Sequence, residues 1–146
     1  VARDYGSHVP VLRAIIGSVQ PTCVLEFGCG LHSTPLFLES PRLSRIVSVE
    51  PDPEWRRKVA LHCDDDRLVL RPDRQVVPEC FDLVFIDDGQ QVAEREETIR
   101  LVLGRRNHPP VVIHDADVPE YLAAIEELAI NYSIFPTDPP TAVVWR

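Results

Sequence analysis

Glu26, Gly28 and Gly30 crowd together in "VLEFGCGLHSTP" (24–35), where an apolar run ends in an acid, two glycines flank Cys29, and Ser33, Thr34 and Pro35 follow. Glycine in such a turn admits positive φ and lets a ligand approach the main chain without a Cβ in the way. Glu50 lies 20 residues beyond Gly30, the separation at which an acid accepts hydrogen bonds from ribose hydroxyls. Two further groups could move protons or hold a cation. They are Asp87-Asp88, closing "FDLVFID", and His114, Asp115 and Asp117 in "IHDAD".

These residues need elements to hold them. Residues 10–19 put Val11, Leu12, Ile15, Ile16 and Val19 on one face and predict an opening amphipathic helix. Strands are expected at 23–27, 45–50, 68–72, 81–87 and 110–115, with a hairpin of 132–136 and 141–146 at the end. Between them, Pro35 opens a brief helix, and Asp52-Pro53-Glu54 starts one that runs to about Leu61. Residues 93–103 and 117–128 form two more, with Asp117 and Glu120 read as a capping box rather than as catalytic groups. Alternation of this kind implies an α/β chain with a parallel sheet covered on both faces, and the hairpin adds an antiparallel strand. Only "DRQVVPEC" separates the third and fourth strands, too short for a full crossover helix.

The chain has 146 residues, a formal net charge of -8, 45% hydrophobic and 26% charged residues, which fits one domain, 1–146, with one site. The acidic balance argues against a nucleic-acid partner, which needs clustered Lys and Arg. No apolar run approaches the roughly 20 residues of a membrane span, and a cytoplasmic location is expected. Cys23, Cys29, Cys63 and Cys80 form no CxxC pair and read as reduced thiols in or near core segments.

The glycine turn suits a nucleotide, and its charge bears on which one. A dinucleotide site wants a third glycine, where this chain has Ser33. A carboxylate at Glu26 would repel pyrophosphate and attract a cationic end, which points to S-adenosylmethionine, with its ammonium and sulfonium.

"LEFGCGLHST", "VSVEPDPEW" and "FDLVFIDDG" resemble motifs I, II and IV of the class I S-adenosylmethionine-dependent methyltransferases. The resemblance runs from Cys23 to the closing hairpin. It implies a three-layer αβα sandwich with a mostly parallel seven-stranded sheet of order 3-2-1-4-5-7-6, the last strand antiparallel. By the same resemblance, Glu26, Gly28, Cys29 and Gly30 would line the methionine end, Ser33 and Thr34 would follow at the helix start, and Glu50 would hold the ribose. Ser33 and Thr34 serve equally well as helix caps. Asp73 stands where the family often contacts adenine, in what is also an ordinary turn. Asp87 would contact the methionine ammonium or the acceptor. His114 is either a base or the partner of a neighbouring carboxylate.

"FIDD" followed by "HDAD" also resembles the metal-dependent O-methyltransferases. There Asp87 and Asp115 would match two Mg²⁺ ligands, with Ala116 where that family has Asn. His114, Asp87 and Asp115 are thus the catalytic candidates, and O-methylation of a small molecule is preferred over N-methylation. The open crevice leaves room for a second copy or a partner subunit. Two alternatives stay open: an NAD(P)-dependent oxidoreductase and a cofactor-binding module without turnover.

Overall fold

The computed structural model describes residues 6–146. Thirteen elements of it follow the expected alternation: α1 (Val9–Val19), β1 (Cys23–Phe27), α2 (Thr34–Leu38), β2 (Arg45–Val49), α3 (Pro53–His62), β3 (Leu68–Arg71), a 3-10 turn (Pro78–Cys80), β4 (Leu83–Ile86), α4 (Val92–Leu103), β5 (Val111–His114), α5 (Pro119–Leu128), β6 (Asn131–Phe135) and β7 (Thr141–Trp145). The strands form one sheet of order β3-β2-β1-β4-β5-β7-β6. All neighbours pair in parallel as far as β5; β7 runs antiparallel to both β5 and β6. The expected fold class is therefore the observed one.

Alternate residues of the central strands feed two apolar layers, as the pleat requires. Val24, Ile46, Leu83, Phe85 and Val112 pack with Leu12 of α1 and Phe37 of α2. Leu25, Phe27, Val84, Ile86 and Ile113 pack on the other face with Ile99 and Val102 of α4 and Ala124 and Ile125 of α5. Covering both faces leaves the strand ends as the place where polar side chains can gather, and the parallel strands deliver those ends to one edge. As expected, no crossover helix joins β3 to β4; the 3-10 turn takes its place.

Two local expectations fail. Asp117 is exposed and caps nothing: α5 starts from Val118 without a side-chain cap, its entry fixed by Pro119 and by the Val118 N–H donating to the Asp115 carbonyl. Cys80, at the end of the 3-10 turn, is exposed rather than near the core, whereas Cys29 and Cys63 are buried. Among the described residues no helix is long and apolar enough to cross a membrane.

Candidate functional site

The glycine turn owes its shape to a close approach of two strand ends. Gly28 has φ +83°, and a Cβ there would lie 2.4 Å from the Asp87 carbonyl oxygen and 2.7 Å from the Asp88 Cα. Only glycine lets β1 end against the end of β4 in this way. Its N–H donates to the Val49 carbonyl at 2.8 Å, tying in β2 as well. Gly30 is under no such constraint; a Cβ would meet the Ser33 Oγ at an ordinary 3.6 Å.

Beneath this turn Glu26 is fully buried. Ser33 donates to its Oε2 at 2.5 Å, and Thr34 and Ser48 donate to Oε1 at 2.6 and 2.7 Å. Thr34 Oγ1 in turn accepts from the Gly30 N–H at 3.1 Å. Burial raises the Glu26 pKa to about 7, against the three hydroxyl donors that favour its charged form. Ser33 and Thr34 therefore make no side-chain cap on α2; they solvate a buried carboxyl group. Of the three hydroxyl donors only Ser33 lines the cavity above, and Glu26 itself does not.

That cavity, about 650 Å³, opens over the ends of β1, β2 and β4. Its floor is the turn from Gly28 to Ser33, including Cys29, whose thiol is pushed far up by burial and by Glu26 and Glu50 and is inert. Glu50 lines it at the end of β2, its Oε1 accepting the Asp52 N–H at 3.0 Å and its pKa raised by burial. Asp52 caps α3 through the Glu54 and Trp55 N–H groups, and this fixes Trp55, whose indole N–H donates to the Cys29 carbonyl at 2.6 Å. Glu50, Asp52, Asp87, Asp88 and Glu94 line the space together with one arginine, Arg95. Asp73 does not belong to it: it is exposed, accepts from the Gln75 N–H at 2.9 Å, and lies 3.7 Å from Arg71. Asp73, the residue expected at adenine, thus stands apart from the lining of this cavity.

Beyond β4 and β5 the acids meet a cation that does not stand out in the sequence. Arg95 of α4 is buried, with NH2 3.1 Å from Asp87 Oδ1 and NH1 2.8 Å from Asp115 Oδ2; its Nε donates to the Asp88 carbonyl at 2.7 Å. Asp115 takes φ +58°, a left-handed conformation that aspartate tolerates better than most residues, at the turn after β5. Asp88 accepts from Thr98 at 2.6 Å, and burial raises its pKa. The guanidinium thus bridges the two carboxylates expected to hold Mg²⁺, and Ala116 is buried and supplies no oxygen. A hard dication wants several oxygen ligands, and this donor set does not fit one. The Asp87–Asp115 metal pair is replaced by an ion-paired cluster.

His114 is buried, with Nε2 2.9 Å from Ser7 Oγ and Nδ1 3.2 Å from Asp87 Oδ1. Both nitrogens are engaged, so His114 holds Asp87 and presents no free base to the cavity. Asp87 lines both the first cavity and a second of about 550 Å³ that also touches His114, Asp115 and Tyr121. His8, just before α1, lines the first cavity with a ring 1% exposed and stacks edge-on against His114 at 4.7 Å. Burial, then His114, lowers its pKa to about 4. The sequence analysis missed His8, Trp55 and Arg95. Of these only Trp55 carried a signal, its place three residues after the helix cap Asp52.

No family model matches the sequence, and no curated protein does. Solved structures do resemble the chain. N-methyltransferase NodS from Bradyrhizobium japonicum WM9, in complex with S-adenosyl-L-homocysteine, shares 14% identity over 94% of this chain and 83% of its own, with a TM-score of 0.66. A candidate caffeoyl-CoA O-methyltransferase from Staphylococcus aureus shares 11% identity over 92% of this chain and 80% of its own, with a TM-score of 0.69. Spermidine synthase in complex with the transition-state analogue AdoDATO shares 13% over 97% and 61%, with a TM-score of 0.67. The chain has the fold of the class I methyltransferases. The neighbours' names span oxygen, nitrogen and polyamine chemistry, so the fold alone does not select an acceptor.

Proposed function

We propose that this chain transfers a methyl group from S-adenosylmethionine to an acceptor, and that the acceptor is a small-molecule hydroxyl. The observation that carries the reading is the charge of the strand-end cavity. Five acidic residues line it with a single arginine, beside a glycine turn at the ends of parallel strands. A pyrophosphate would meet repulsion there, while a ligand bearing an ammonium and a sulfonium gains from the same field. The sheet order with an antiparallel β7 also departs from the 3-2-1-4-5-6 order of dinucleotide-binding folds, which counts against an oxidoreductase.

S-adenosylmethionine, when bound, supplies an activated methyl group that leaves sulfur as the acceptor's lone pair attacks in line. The residues present suit its parts. Glu50 would accept the ribose hydroxyls, Leu31 and Trp55 offer apolar surface to a base, and Ser33 and the turn carry the amino-acid end. Asp87, at the junction of the two cavities, would orient the acceptor and take its proton; Arg95 and His114 hold that carboxylate in place. Positioning is the larger part of such catalysis.

Methyl transfer from labelled S-adenosylmethionine to a panel of phenols, alcohols and amines tests the reading. Product with hydroxyl compounds supports it. Product with amines alone overturns the acceptor, and tight binding of S-adenosylhomocysteine without any turnover returns the chain to the binding-module alternative.

A further inference from the structure

We propose that His8, Asp87 and His114 form a binding site for one divalent transition-metal ion with affinity for imidazole, of the Zn²⁺ or Co²⁺ type. The ligand atoms of these three residues all lie within 4.8 Å of one another. In a tetrahedral zinc site with bonds of about 2.0–2.1 Å, neighbouring ligand atoms stand about 3.3–3.4 Å apart. The His114 Nδ1 to Asp87 Oδ1 distance of 3.2 Å is already of that size. The His8 ring, packed on Phe85 and His114, has its ligand atom within 4.8 Å of the other two and would turn towards them to complete the triangle.

Two observations point to a cation. Among the described residues both ring nitrogens of His8 are buried without a hydrogen-bond partner, although His8 borders the cavity. Buried polar groups are almost always satisfied, and a neutral imidazole in that state is a lone pair awaiting a Lewis acid. The second is proton accounting at His114. Ser7 Oγ donates its one proton to the Pro139 carbonyl at 3.0 Å, so its 2.9 Å contact with His114 Nε2 is one in which the ring N–H donates. Nδ1 then faces Asp87 Oδ1 at 3.2 Å, with Asp115 Oδ2 3.8 Å away. A metal ion taking the place of the proton that joins these two atoms would be held from both sides. An outer ring N–H held by a hydroxyl and carbonyl is also how metal-bound histidines are oriented.

The charge is favourable too. Asp87 and Asp115 outnumber Arg95 by one in the cluster, so a dication is not opposed by a net positive field. Two imidazoles and one carboxylate select Zn²⁺, Co²⁺, Ni²⁺ or Fe²⁺ over Mg²⁺, and three protein ligands leave a position open towards the cavity. This site differs from the Asp87–Asp115 pair by its nitrogen donors, and it does not rest on methyl transfer.

The test uses the chain, freed of metal by a chelator and dialysed. Zn²⁺ alone, titrated calorimetrically, is expected to bind at one equivalent, with an affinity unaffected by a hundredfold excess of Mg²⁺. In the ¹⁵N-labelled wild-type protein, the ring signals of His8 and His114 should shift together while those of His32, His62 and His108 stay in place. H8Q should weaken binding at least tenfold with an unchanged circular dichroism spectrum. Absence of one-equivalent Zn²⁺ binding, or binding that leaves the His8 ring signals unmoved, overturns the proposal. The ring signals decide the matter even if H8Q does not fold.

Discussion

Glu26→Gln offers a direct measure of the energy stored beneath the glycine turn. Glu26 is fully buried, and its pKa stands at about 7 against an ordinary 4.5. A carboxyl group whose pKa is raised on folding favours the native state in its protonated form. The wild type therefore loses that contribution as pH rises from the unfolded value through the folded one. The interval corresponds to about 3 kcal/mol. Glutamine keeps the shape and one oxygen to accept from the Thr34 and Ser48 hydroxyls, its amide NH2 donates to the Ser33 Oγ as a protonated carboxyl would, and it carries no proton to lose. Unfolding by urea at a series of pH values from 4 to 8, with wild type and variant measured side by side, gives the difference in stability at each pH. That difference should rise in the variant's favour by about 3 kcal/mol between pH 4.5 and 7.5, roughly 10 °C in Tm, and level off above. Glu50 and Asp88 contribute slopes of the same sign as Glu26, and His8 one of opposite sign, but these are common to both proteins and cancel. A difference that stays flat to within 1 kcal/mol, or moves the other way, refutes the reasoning that burial dominates the three hydrogen bonds.

Other substitutions probe the remaining parts of the site. Gly28→Ala forces a positive φ on an L residue and drives a Cβ into the main chain at Asp87 and Asp88, so urea unfolding should show a loss of about 3 kcal/mol or failure to fold. Arg95→Met removes the cation from between Asp87 and Asp115 and leaves buried negative charge uncompensated; chemical denaturation at pH 7 should register a loss of about 3 kcal/mol, smaller at pH 4. Glu50→Ala should leave stability within about 0.5 kcal/mol but weaken S-adenosylhomocysteine at least tenfold by calorimetry, because the change lies at the cavity wall.

The sheet could be read from the sequence because its strands obey two strong local rules. "FDLVFID" and "PVVIHD" are apolar at nearly every position, as doubly covered parallel strands must be, and proline stands at the start of α1, α2, α3 and α5. Glu50 and the Gly28 turn were legible for the same reason: each lies at a strand end whose place the pattern settles. The acid cluster was half legible. Asp87 and Asp115 end their strands as expected, but the ion that joins them comes from Arg95, which in "AEREET" looks like one more solvated helix charge. Its burial depends on how α4 lies against β4 and β5, a tertiary fact with no local signature. Ser33 and Thr34 show the converse. Their types suit a helix cap, yet a buried carboxyl group underneath outcompetes the helix end for their hydroxyls. His8 gave no signal at all, since it precedes the first helix and is brought to the site only by the packing of α1 against Phe85.

Isothermal calorimetry of the chain with S-adenosylmethionine, S-adenosylhomocysteine, NAD⁺ and ADP tests the central claim most directly. An anionic strand-end cavity predicts one-to-one binding of S-adenosylmethionine and S-adenosylhomocysteine, with no heat from the two pyrophosphates. Tight uptake of NAD⁺ or ADP, with neither sulfur compound bound, would contradict the account.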